Sequence, residues 1–335
     1  MNIIKNIKKN TIFLLIITAI VLYVVLKDDF EDIVNILTKI DIKYLLLAVL
    51  FYALFIIIKG YVNYKITNDK KRLSLKEAIK HNIITQFFNG VTPFSTGGQP
   101  MEVYMLMEHD IPIAKATNQT IQSFIFYQIA LVICGSIAVI NNFLFPIFPK
   151  VRLLQILVLL GFVINVLVVV VLVLISRSKK VTDKLSGFSI KVLKKLKRKV
   201  DEEDIKQKFS DYHEGFKELR KRKKLFVGGV VLNIISLLCL YIVPMFILYS
   251  MGDFTNLTLN NTITASAYVY IIGGFVPIPG ASGGIEYGFT RFFGNFIGAS
   301  TLSAVLLLWR FITYYLGVIV GALVFNFEKK VKEWE

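Results

Sequence analysis

Apolar residues in this chain fall into long runs, and the polar residues between them form short clusters. Runs at 11–26, 43–62, 118–140, 153–176, 225–250 and 299–325 approach or exceed the roughly 20 residues that carry a helix across a bilayer. Two further apolar stretches, 88–104 and 274–289, are interrupted by Pro and Gly. Such interruptions free backbone groups, which bilayer depth tolerates only where protein or a water-filled cavity satisfies them. The pattern predicts an all-α polytopic membrane protein with about six full transmembrane helices and two re-entrant broken-helix segments. Composition agrees: 55% of the 335 residues are apolar, which excludes a soluble core with an attached tail.

The two interruptions are related. The first reads FNGVTPFSTGGQPMEVY and the second GFVPIPGASGGIEYGF. Adding 186 to Pro93, Gly97 and Gly98 gives Pro279, Gly283 and Gly284, so one P-x-x-x-G-G break occurs twice. Interrupted apolar segments at matching positions of two halves point to a transporter's substrate site. Charge adds orientation. The excess of +16 is concentrated in a few polar segments. Lys5, Lys8 and Lys9 precede the first run, which places the N-terminus in the cytoplasm. Its apolar run leads into an acidic segment without a small-residue cleavage site, so it reads as an uncleaved anchor. That acidic segment has apolar residues at helical spacing up to Ile40 and is expected to lie on the outer interface. Residues 177–224 hold 18 Lys/Arg against 8 Asp/Glu, hence +10, the strongest cytoplasmic signal. Counting spans from there, the first break is entered and left from the inside and the second from the outside. The expectation is one transmembrane domain over 1–335, an inverted repeat with units at about 43–141 and 225–326, and a cytoplasmic C-terminus.

After each Gly-Gly a half-helix can start, and Pro100 suits a first turn, where its missing N–H has no partner to lose. Free N–H groups and the positive dipole end make such a start an anion site. Gly pairs let a phosphate approach the backbone. The candidate substrate-binding residues are therefore Asn89, Thr92, Pro93, Gly97, Gly98, Gln99 and Glu102 in the first break, and Pro277, Pro279, Gly280, Gly283, Gly284 and Glu286 in the second. Arg310 joins them from the middle of the last span. A buried carboxylate at membrane depth needs a named partner. Arg310 is the candidate for Glu286, with Arg291 the competitor, and one of Glu102 and Glu286 is expected to carry a proton during transport. Lys59 is expected to snorkel to the interface.

The remaining chemistry is sparse. Cys134 and Cys239 read as small core residues. His81, His109 and His213 show no ligand spacing, so neither metal nor other cofactor is expected, and no nucleophile motif suggests catalysis. Gly317-x-x-x-Gly321 and Gly294-x-x-x-Gly298 read as close helix packing. The segment 177–224 reads as a basic helix solvated or lying on the inner leaflet, not as a nucleic-acid site.

The motifs N-x-x-T-P-x-x-x-G-G-x-P (Asn89 to Pro100) and P-x-P-G-x-x-G-G-x-E (Pro277 to Glu286), with the mid-span Arg310, resemble the transmembrane-domain family of lysylphosphatidylglycerol synthase/flippase proteins. The resemblance implies a flippase-like module in a bacterial cell membrane. Its partners would be membrane lipids, an anionic or aminoacylated phospholipid or a polyprenyl-linked lipid. Full-length members carry a C-terminal aminoacyltransferase domain, and the short tail after the last span leads us to expect that domain to be absent. A phosphatidylglycerol lysyltransferase, or a non-transporting subunit that recruits a separate synthase, are the competing readings. Oligomerisation stays open.

Overall fold

The computed structural model describes residues 38–67, 72–177, 179–195, 201–274 and 276–332. The expected first span at 11–26 and nearly all of the acidic segment after it lie outside these residues, as does most of the basic cluster around 194–199. The described residues are helical throughout, without a strand. Five helical stretches are long and apolar enough to cross a membrane: Ile42–Thr67, Ile113–Leu144, Arg152–Leu174, Lys223–Ser250 and Ala299–Phe327. The chain is a multi-pass membrane protein.

Local sequence explains the elements. Helix α1 (Ile42–Thr67) is an almost unbroken apolar run. Helix α2 (Leu75–Gly90) starts at a capping box, in which the Glu77 N–H donates to Ser74 Oγ (3.2 Å) and the Ser74 N–H to Glu77 Oε2 (2.6 Å). It stops where Pro93 opens a 3₁₀ turn, Pro93–Ser95, and Gly98 restarts the chain as α3 (Gly98–Met107). Helix α4 (Ile113–Leu144) crosses back, followed by α5 (Arg152–Arg177), α6 (Lys179–Lys195) and α7 (Glu202–Lys221). The expected span at 225–250 is kinked into α8 (Lys223–Tyr241) and α9 (Val243–Ser250), with Pro244 in the first turn of the latter. Then come α10 (Leu259–Gly273), a second 3₁₀ turn (Pro279–Ala281), α11 (Gly284–Phe293), α12 (Ala299–Arg310), a π-helical turn (Phe311–Tyr315) and α13 (Leu316–Lys332).

The offset of 186 reaches well beyond the three matching residues. It carries Pro93–Ser95 onto Pro279–Ala281, Gly98–Met107 onto Gly284–Phe293, and the start of α4 at Ile113 onto the start of α12 at Ala299. Backbone conformation repeats as well. Phe94 (φ 54°) matches Gly280 (φ 63°), and Ser95 matches Ala281, both at φ 53°. Three of these four are non-Gly residues in the left-handed region, a strained conformation that persists only where its surroundings enforce it.

The two units interlock. Helix α2, which precedes the first break, packs on α13 behind the second break, and α10 packs on α4. Gly321 makes the first contact possible, since a Cβ there would lie 2.7 Å from the Ile83 carbonyl oxygen and 2.8 Å from Phe87. Gly317 does the same against the Tyr52 hydroxyl. The other small-residue pair is split. A Cβ on Gly294 would lie 2.5 Å from the Thr290 carbonyl oxygen and 3.2 Å from Leu302, as close packing predicts. One on Gly298, the N-cap of α12, meets nothing within 4 Å. Gly298 alone serves as a cap and not as a packing face. Cys134 is buried and Cys239 half-buried, both unpaired.

The basic segment also departs from expectation. It folds into two helices packed on each other, and α7 docks on α4 and α5. Gly215 lets α7 approach Asn118, Gln122 Nε2 donates to the Gly215 carbonyl (3.4 Å), and Leu219 is fully buried. Gln122 on α4 and the Gly215 carbonyl on α7 share a hydrogen bond, so the segment is part of the bundle's edge and not a free surface helix.

Candidate functional site

The two 3₁₀ turns pack directly against each other. At their junction the Arg310 side chain, 6% exposed, ion-pairs with Glu286, 9% exposed, with Nε and Oε1 2.8 Å apart. Arg310 Nη2 donates to the Gly280 carbonyl (3.1 Å) and to Ser282 Oγ (3.3 Å). The other carboxylate oxygen of Glu286 accepts the Gly283 N–H (2.7 Å) and so caps α11. One carboxylate thus closes the half-helix start and neutralises a buried guanidinium. Arg310 is the last residue of α12, and the π-helical turn begins immediately after it. π-bulges of this kind occur frequently at functional sites. Arg291 is exposed and lies over the Tyr287 ring at 5.4 Å, away from Glu286.

Tyr314 joins the two breaks. Its ring stacks under the Arg310 guanidinium (4.4 Å to the centroid) and against Gly280, where any Cβ would strike it. Its hydroxyl donates to the carbonyl of Gly90 (3.0 Å), the last residue of α2. One side chain therefore touches the second break, the guanidinium and the entry to the first break.

The first break is clasped by its own side chains. Thr92 Oγ1 accepts the Gly97 N–H (2.8 Å) and donates to the Phe88 carbonyl (2.7 Å), while Asn89 Oδ1 accepts the Gly98 N–H (3.0 Å). Two N–H groups that the sequence offers to an anion are already satisfied by neighbouring polar side chains. Asn89 and Thr92 act here as caps. A Cβ on Gly98 would collide with Asn89 and Thr85, so the clasp requires glycine. Pro93, Pro100 and Pro277 are exposed, Gln99 is half-buried, and Pro279 is buried at the turn junction.

Glu102 does not reach the junction. It is buried in a separate chamber, a narrow cavity lined by Asn63, Thr67, His81 and Gln119. Asn63 Nδ2 donates to Glu102 Oε1 (2.7 Å), and Ser123 Oγ donates to Asn63 Oδ1 (2.6 Å). Lys59 faces inward, its ammonium over the rings of Tyr127 (4.6 Å) and Phe55 (5.3 Å) and within the field of Glu102. It does not snorkel, because aromatic faces and a carboxylate compensate its charge in place.

Sequence reasoning omits Ser282, Tyr314, Asn63 and Ser123. Tyr314 stands four residues after Arg310, a spacing that puts both on one helix face and could have flagged it. Asn63 and Ser123 sit singly in apolar runs without such a signal.

Two comparisons bear on this arrangement. The model of a family described as the lysylphosphatidylglycerol synthase TM region matches residues 11–321. A UPF0104 membrane protein of Archaeoglobus fulgidus is 24% identical over 273 residues, covering 76% of this chain and 77% of that relative. The match takes in both breaks, Glu286 and Arg310, and the chain belongs to the family of the lysylphosphatidylglycerol synthase TM region.

Proposed function

We propose that the protein is a flippase-like transporter that moves an anionic or aminoacylated phospholipid, or a polyprenyl-linked lipid, between the leaflets of a bacterial cell membrane. In this reading the chain has about six full spans, two oppositely oriented re-entrant segments that form an inverted repeat, and both termini in the cytoplasm. Its partners are membrane lipids and a separate enzyme that makes the lipid. The observation that carries the reading is the buried Arg310–Glu286 pair held where two repeated helix breaks meet.

The chemistry follows from charge. A phosphodiester cannot enter about 30 Å of hydrocarbon unpaired. A guanidinium offers it a planar fork of donors. Glu286 pairs with the guanidinium through Nε, and an arriving phosphate would take the carboxylate's place, so that the guanidinium is never left unpaired. Ser282 Oγ and the Gly280 carbonyl hold Nη2 beside the pair.

Vesicles carrying the purified protein and a fluorescent phosphatidylglycerol provide the test, with dithionite quenching the label that remains outside. Losing a hydrogen bond to a charged group costs about 1.5–3 kcal/mol, so Arg310→Met is expected to slow translocation by roughly ten- to a hundred-fold. Wild-type vesicles with no protein-dependent lipid movement would refute the proposal.

A further inference from the structure

The chamber around Glu102 is not the junction. It lies at one end of a series of titratable groups that begins at a partly exposed carboxylate. Glu77, with its side chain 40% exposed, stands 3.9 Å from His109 Nδ1 through Oε1. The His109 and His81 rings pack at 5.1 Å between centroids. His81 is buried and lines the chamber together with Glu102. Within the chamber Gln119 Oε1 is buried with no hydrogen-bond partner among the described residues. Glu102 uses Oε1 for Asn63, and no described residue donates to Oε2. The cavity is about as wide as one water molecule, too narrow for a lipid headgroup and matched to a water accepted by two unfilled oxygens.

We propose that Glu77, His109, His81 and one chamber water form a proton relay that loads and unloads Glu102, so that this transporter moves lipid in exchange with, or together with, a proton. The inference rests on the transporter reading. A hydronium ion loses an O–H bond as the partly exposed Glu77 carboxylate gains one. That carboxylic O–H breaks as an N–H bond forms on His109, and a His109 N–H bond breaks as one forms on His81 across the packed rings. The chamber water then takes the proton from His81 as it gives one of its own to Glu102, forming the carboxylic O–H. No electrons change hands, and unloading reverses each step. Other charges face this path. Lys59 on α1 acts on Glu102, while Lys80 and Glu108 act on His81 along with Glu77 and His109. Lys59, held between two rings, is the cation that faces Glu102 when it unloads. The sequence shows three unrelated histidines; the fold brings two of them into line.

Infrared pH-difference spectra of the purified protein test the site itself. A buried carboxylic C=O band that titrates in the wild type and is lost in Glu102→Gln is the expected result; a wild-type spectrum with no titrating buried carboxyl overturns the proposal. The vesicle assay tests the coupling. Lipid translocation should change by up to about tenfold per pH unit imposed on the Glu77 side, the limit for one proton, and His81→Phe should flatten that response. Lipid movement indifferent to pH overturns the relay and leaves the transporter standing. A titrating Glu102 band without any lipid movement removes the transporter reading and keeps the protonation site.

Discussion

Removing both members of the Arg310–Glu286 pair should cost far less than the sum of removing each alone. The two side chains are 6% and 9% exposed, so solvent screening is minimal and the logic of buried pairs applies. Glu286→Gln leaves a guanidinium with no counter-charge, held by the Gly280 carbonyl, Ser282 Oγ and the Tyr314 ring face. Arg310→Met leaves a carboxylate whose remaining partner is the Gly283 N–H. Each single change is expected to destabilise the fold by about 3–5 kcal/mol, the usual cost of stranding a buried charge. The double variant strands none, so its loss should be close to that of one single variant. The coupling is then about 3–5 kcal/mol, upward of about a hundred-fold in the unfolding equilibrium. Trp309 stacks on Phe289 (4.5 Å between centroids), next to the pair, and its fluorescence reports unfolding in mixed micelles as denaturing detergent rises. Losses that add within about 0.5 kcal/mol would show that the two charges do not depend on each other, and the account of the junction would fail.

Other consequences are nearer at hand. Tyr314→Phe deletes only the bond to the Gly90 carbonyl and should lower stability by about 0.5–1.5 kcal/mol in the same unfolding assay. Gly280→Ala puts a Cβ against the Tyr314 ring at φ 63°, and should cost upward of about 1 kcal/mol with a matching loss of lipid translocation. At Glu77, partial burial pushes the carboxyl up, but the Ser74 hydroxyl and amide, with His109 and His81, outweigh it and hold the group below its ordinary value. A depressed folded value means that stability is present above the unfolded value of about 4.3 and is lost as pH falls through the folded one. Ser74→Ala should therefore narrow the drop in melting temperature between neutral and acid pH, and an unchanged drop would count against the capping account.

Much of this architecture is legible in the chain before any coordinates. Hydropathy marks the described spans, and an offset of 186 between two Pro/Gly runs locates both breaks and α3 and α11 after them. Arg310 declares itself by lying too deep in an apolar run to reach water. What stays hidden is reach across elements. The series from Glu77 to Glu102 uses residues from α1, α2, α3, α4 and the loop after α3, and no spacing rule relates them. Asn89 and Thr92 look like ligands because a polar residue beside a helix break can serve a substrate or the break itself. Which role it takes depends on a few ångströms of loop path that sequence does not encode. Lys59 shows the same limit, for its bland fate as a snorkelling lysine is overruled by Tyr127 from another helix.

The interlocked helices also give a physical reason why the two polar sites can influence each other. Helix α2 ends at Gly90, whose carbonyl is held by Tyr314 under the Arg310 guanidinium. Nine residues earlier the same helix carries His81 into the Glu102 chamber, about 14 Å away at 1.5 Å per residue. Its far end also holds α3, because Asn89 on α2 clasps the Gly98 N–H and α3 bears Glu102. A helix of this length moves as a rigid body more readily than it bends. Displacing Glu286 from Arg310 would shift Tyr314, release the Gly90 carbonyl and let α2 rock, taking His81 and the Asn89 clasp with it. Charge exchange at one break would then be felt as a change in proton access at the other.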